Sequence, residues 1–202
     1  MTVTIYYKGT LAVDCCTVDT GAAGNTRMGN GHKLFISSCN RVAIAVTGDI
    51  PSKKSAGHLV NMLADYISTF DGNVGKAVAN QDKLYSALSS CLIPKYFICI
   101  TTDSGFYIGT NALDRITVIE PDSTYFTDGS NSIHADAVIS WLETKEGKVD
   151  LDKVFRTISL VDFKVTREYM KVNHSELTPF KSSPVYTAHT VNKSDFCIGE
   201  LT

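Results

Sequence analysis

No apolar stretch in this 202-residue chain reaches the roughly 18 residues that a membrane-crossing helix needs. The N-terminus lacks a basic segment followed by an apolar one, so no secretory signal is expected. Strong charge of either sign is missing too. Lys and Arg number 19 against 21 Asp and Glu, a net charge of −2. That balance gives no reason to expect nucleic acid or an anionic membrane as partner. There is no P-loop, nucleophile elbow or dinucleotide fingerprint. The five histidines (His32, His58, His134, His174, His189) show no paired metal spacing, so neither a metal nor a cofactor is expected. Low-complexity segments, internal repeats and a convincing domain boundary are also lacking. A chain of this length can bury a sizeable core as one unit, and a single domain over residues 1–202 is expected.

The six cysteines come without a secretion signal and read as free thiols in a reducing compartment, the cytoplasm. Cys39, Cys91, Cys99 and Cys197 lie in apolar or strand-like contexts and are expected to be small buried hydrophobes. Cys15 and Cys16 are adjacent to each other and flank the stretch that matters most below.

That stretch is the first 48 residues. An alternating run, Thr2-Val3-Thr4-Ile5-Tyr6-Tyr7, reaches Lys8-Gly9, and a second run, Thr10-Leu11-Ala12-Val13, ends at Asp14. Two β-patterned runs split by a pair ending in Gly read as a hairpin. With Lys8-Gly9 as a two-residue loop, Val3 lies opposite Asp14 and Thr2 opposite Cys15, so the chain start sits beside a carboxylate. Thr20 to Gly31 reads as a loop rich in Gly, Asn and Ala. Strands Lys33–Ile36 and Arg41–Val46 follow, the latter running into Thr47-Gly48-Asp49.

Asp49 or Ser52 can cap a helix whose Ala56, Leu59, Val60, Leu63, Ala64 and Ile67 form one apolar face. Val74 to Leu92 is a weaker helical stretch, broken near Ala79-Asn80. Strands are expected at Tyr96–Thr102, Phe106–Gly109, Arg115–Ile119 and Tyr125–Thr127. Helices are expected from His134 to Thr144 and from Asp150 past Val161, and a last strand from Pro184 to Val191. The tail from Asn192 reads as loosely held. Runs of strands alternating with helix pairs argue for an α+β chain of antiparallel sheets covered by helices.

In order, Thr2, Asp14, Gly24-Asn25-Thr26, Lys33 and Gly48 resemble the proteasome β-subunit family and its bacterial relatives, the N-terminal-nucleophile hydrolases. The likeness runs from Thr2 to Phe70 and weakly to Thr166. It implies a four-layer αββα sandwich, with two mainly antiparallel sheets between helical layers. It also implies a threonine-type peptidase in which Thr2, after removal of Met1, is the nucleophile. Lys33 paired with Asp14 would tune it, and the Gly48 N–H would serve the oxyanion. By the same resemblance Ser130 would contact the terminal amine, with Asp162 behind it. Implied partners are a peptide or protein substrate, further copies of the chain in a ring, and an ATP-driven unfoldase. The alternative is a silent scaffold or inhibitory protein that keeps Met1. Amidase action on a small molecule is a third reading.

The sequence departs from the family at Cys15-Cys16, where Ser-Arg is common. It departs again at Asp49, in place of a second glycine, and at Val165, in place of a serine. The first hairpin is shorter by an even number of residues, which preserves strand facing. Each site residue also has a purely structural reading. Thr2 is then an ordinary strand residue, Asp14 a turn residue and Lys33 a solvated strand-end lysine. Gly48 permits a turn and Ser130 caps a helix.

Overall fold

The computed structural model describes residues 3–20, 26–47, 52–91, 96–101, 105–109, 115–119, 125–161 and 187–201. Its first two strands, β1 (Thr4–Tyr7) and β2 (Thr10–Asp14), form a hairpin in the register Thr4↔Val13 to Tyr7↔Thr10. Lys8 and Gly9 both have positive φ, 45° and 84°. That is the backbone of the primed turn that two-residue hairpins favour, and Gly occupies its second position at no steric cost.

The next strands, β3 (Cys16–Thr20) and β4 (Thr26–Asn30), pair in a separate two-stranded ribbon. Thr26–Asn30 was expected to be loop. Gly29 and Asn30 disfavour strands by themselves, and the pairing with β3 overrides them. Two strands that follow, β5 (Leu34–Ile36) and β6 (Val42–Thr47), begin a five-stranded antiparallel sheet. It is completed by β7 (Tyr96–Thr101), β8 (Gly105–Gly109) and β9 (Arg115–Ile119), in the order β5-β6-β7-β8-β9. The other five-stranded sheet joins the first hairpin to β10 (Tyr125–Asp128), β11 (Ala188–Asn192) and β12 (Ile198–Leu201), in the order β10-β1-β2-β11-β12. All of its pairings are antiparallel. The tail is therefore not loose: Ile198–Leu201 is hydrogen-bonded to Ala188–Val191 as an edge strand.

Helix α1 (Lys53–Ser68) starts at Ser52, whose side chain accepts the Ser55 N–H. Helices α2 (Val74–Ala79) and α3 (Gln81–Leu88) meet at Asn80, where the sequence shows its break. Helix α4 (Ser132–Glu146) closes on Gly147 in the left-handed conformation, and α5 covers 151–161. Three apolar clusters stack these elements into layers. One packs Leu59, Val60, Leu63, Leu84 and Leu88 of the first helices on Val42, Ile44, Val46, Phe97 and Cys99. A second packs Ala135, Ile139, Leu142, Val154, Phe155 and Ile158 on Val3, Ile5, Tyr7 and Ala12. The third lies between the sheets and holds Tyr6, Leu11, Val13, Leu34, Ala43, Ala45, Ile98 and Ile100. Alternate residues of β1 and β2 thus serve different cores, as the two-residue strand period requires. The result is helix, sheet, sheet, helix, at about 1.5–3 kcal/mol for each large apolar side chain fully buried.

Candidate active site

The start of β1, the end of β2 and the segment entering β5 meet at one end of the two sheets. Asp14 closes β2, and its main-chain N–H donates to the Val3 carbonyl at 3.1 Å. The Asp14 carboxylate works in two directions. Its Oδ2 accepts the Val3 N–H at 2.6 Å, and its Oδ1 accepts from Lys33 Nζ at 2.9 Å. Both residues of this ion pair are buried, Lys33 to 1% exposure and Asp14 to 5%. Lys33 is not a solvated strand-end lysine. Its carbonyl accepts the Val46 N–H at 2.9 Å, which fixes its backbone on the second sheet. A buried ion pair of this kind contributes little net stability, but loss of one partner strands the other charge.

A second polar link closes the same end. Thr47 Oγ1 donates to Asp128 Oδ2 at 2.5 Å, tying the last residue of β6 to the last residue of β10. Asp128 is paired with Thr4 in the sheet, and the Thr4 hydroxyl is fully buried without a hydrogen-bond partner among the described residues. The sequence names Thr47 and Asp128 only as flanks of Gly48 and Ser130. Their link spans chain-distant residues and leaves no local signal.

Of the expected site residues, Asp14 and Lys33 come together. Ser130 is exposed in the turn two residues beyond Asp128, at the β1–β10 end. It does not cap α4, since Asn131 occupies that position. Thr2, Gly48 and Asp162 lie outside the described residues, as does Asp49.

A lysine beside a thiol favours its thiolate by positive charge, and Lys33 lies near Cys15. Burial instead pushes the Cys15 thiol up to about 11, with the Asp14 charge adding to the rise and outweighing Lys33. Cys15 is 2% exposed and stays a protonated thiol at neutral pH. Cys39 and Cys197 are exposed rather than buried, whereas Cys99 is buried as expected. Among the described residues no group of three or more His, Cys, Asp or Glu could hold a metal ion, and no helix is long and apolar enough to cross a membrane.

The layered order matches solved structures over most of their length. HslV from Trypanosoma brucei superposes with a TM-score of 0.53 at 16% identity, covering 79% of this chain and 90% of that one. BPH from Thiobacillus denitrificans gives 0.51 at 17%, covering 95% and 98%. Anbu from a Hyphomicrobium species gives 0.52 at 12%, covering 99% and 87%. This chain has the proteasome-type fold of the N-terminal-nucleophile hydrolases. No protein-family model and no curated protein matches its sequence. The likeness is one of fold.

Proposed function

We propose that this protein is a proteasome-like threonine-type peptidase, acting as one domain, in which Thr2 becomes the nucleophile once Met1 is removed. The observation that carries the reading is the buried Lys33–Asp14 pair resting on the N–H of Val3, the residue that follows Thr2. A free α-amine titrates near 7.7–8.0 and is a suitable base at neutral pH. It takes the Thr2 hydroxyl proton as oxygen bonds to the substrate carbonyl carbon. The Lys33 ammonium favours the neutral amine and stabilises the alkoxide as it forms. The Gly48 N–H donates to the carbonyl oxygen, while Ser130 and Asp162 orient the amine. The proton then passes to the departing amide nitrogen as the C–N bond breaks, and water hydrolyses the Thr2 ester.

The substrate is a peptide or protein. The fold supports self-association in general; a ring, an ATP-driven unfoldase that feeds it and a cytoplasmic location belong to the same proposal. Light scattering that returned a monomer at every concentration would remove the ring.

The deciding test joins two measurements on natively produced protein, its intact mass and its labelling by an epoxyketone. That electrophile needs a hydroxyl and a free amine on one residue. Loss of Met1 with covalent labelling that Thr2→Ala abolishes is the expected result. An intact Met1 with no labelling would overturn the peptidase and leave the scaffold reading.

A further inference from the structure

Three consecutive residues carry the chain from the β3–β4 ribbon into β5, and each is fastened in a different way to β11 or to the end of β2. Gly31 donates its main-chain N–H to the Cys15 carbonyl at 2.7 Å. His32 stacks on His189 of β11, with ring centroids 5.1 Å apart and planes at 17°. Lys33 closes the ion pair with Asp14. Leu34 already belongs to the second sheet. Of the three fastenings, only the histidine stack changes charge near neutral pH.

The surroundings of the stack oppose a proton. His189 Nδ1 is buried with no partner among the described residues, so an imidazolium would hold a buried N–H against nothing. Val13 stands opposite His189 on β2, and the Cys15 thiol just past the end of that strand is neutral. Lys33 and Asp14 form an ion pair with each other. Glu200, opposite His189 on β12, favours the charged ring. Burial, and then the charge of His32, outweigh Glu200 and hold His189 below the usual histidine value.

We propose that the His32–His189 stack is a proton-sensitive clasp that positions Lys33, so that acidification frees the segment 31–33 and loosens Lys33 from Asp14. Its catalytic consequence rests on the proposed function, whereas the clasp itself is a property of the fold. Both histidines are positioning residues.

The test follows the two imidazoles and the Lys33 side-chain carbon next to Nζ by NMR, from about pH 8 to pH 5. The expected result is that the Lys33 signal moves in the same step as the imidazoles. In His189→Phe, which keeps a ring to stack but cannot gain a proton, that Lys33 step disappears. Should His189→Phe fail to fold, His32→Phe removes the charge that lowers His189 and is expected to move the Lys33 step to higher pH, and a step that stays in place there overturns the clasp. Glu200→Gln shifts the step to lower pH. A Lys33 signal that stays still while the imidazoles titrate, or that keeps its step in the Phe variant, overturns the clasp. Epoxyketone labelling adds a second reading: the acid limb of the rate is steeper in the natural protein than in His189→Phe, because one titrating group is gone. Protein that does not label at all refutes the peptidase and leaves the NMR test of the clasp intact.

Discussion

Thr47 Oγ1 donates to Asp128 Oδ2 across 81 positions of sequence, and the bond joins the two sheets where their strands end. Gly48 and Gly129-Ser130 follow directly on either side, so this link sets where two proposed site residues begin. A hydrogen bond to a charged group contributes about 1.5–3 kcal/mol. Thr47→Val, close in shape, is expected to lower unfolding stability by an amount in that range, and Thr47→Ser to recover most of it. Denaturant titration reads the difference. If Thr47→Val is as stable as the natural protein, the link does not hold the sheet ends together.

Cys15 gives a prediction that runs against its position. Its thiol is buried and pushed from the usual 9.0 to about 11. Alkylation of native protein near neutral pH is therefore expected at exposed Cys39 and Cys197 long before Cys15, as read by peptide mass spectrometry. The same shift couples folding to alkali. The unfolded chain loses this proton first, so the contribution of Cys15 is complete below about pH 9 and is lost as pH climbs through 11. A shift of this size corresponds to roughly 2–3 kcal/mol. Burial also raises Tyr6, Tyr66, Cys91 and Cys99, which act in the same direction. Tm should fall steeply above about pH 9, and Cys15→Ala should make the fall shallower. An unchanged profile in that variant would remove Cys15 from the account.

Local chemistry made some of this legible in the sequence. Lys8-Gly9 fixed the hairpin, and the hairpin register put Asp14 opposite Val3, as the structure has it. The apolar stripe of α1 and the break at Asn80 are likewise short-range facts. Partners far apart in the chain stayed hidden. Gly29 and Asn30 are poor strand formers that β3 recruits, and Ile198–Leu201 becomes a strand only because Ala188–Val191 offers it an edge. At the site, Lys33 and Asp14 carry the spacing of a known family. The contacts of Thr47 with Asp128 and of His32 with His189 cross between segments whose own sequences say nothing of each other. His32 reads as an exposed strand-end residue, and it is exposed. Its stacking partner could not have been named without the fold.

The Lys33–Asp14 pair allows structural and catalytic roles to be separated. Lys33→Met keeps much of the side chain's length and apolar contact but leaves the Asp14 carboxylate buried without its ammonium. Breaking a buried pair on one side costs about 3–5 kcal/mol. Asp14→Asn retains an oxygen for the Val3 N–H and removes the charge. The double variant should therefore regain most of the stability that Lys33→Met loses, because no uncompensated charge is left. Reactivity should not follow stability. The alkoxide on Thr2 would lack its cation in both variants, and epoxyketone labelling should drop on the order of 10²-fold or more, comparable to loss of another preorganised electrostatic group. A double variant that is stable and inert assigns Lys33 to the chemistry. One that is stable and labels at the natural rate shows that the pair only fills the space between the sheets, and Thr2 would then have to be activated by its own amine alone.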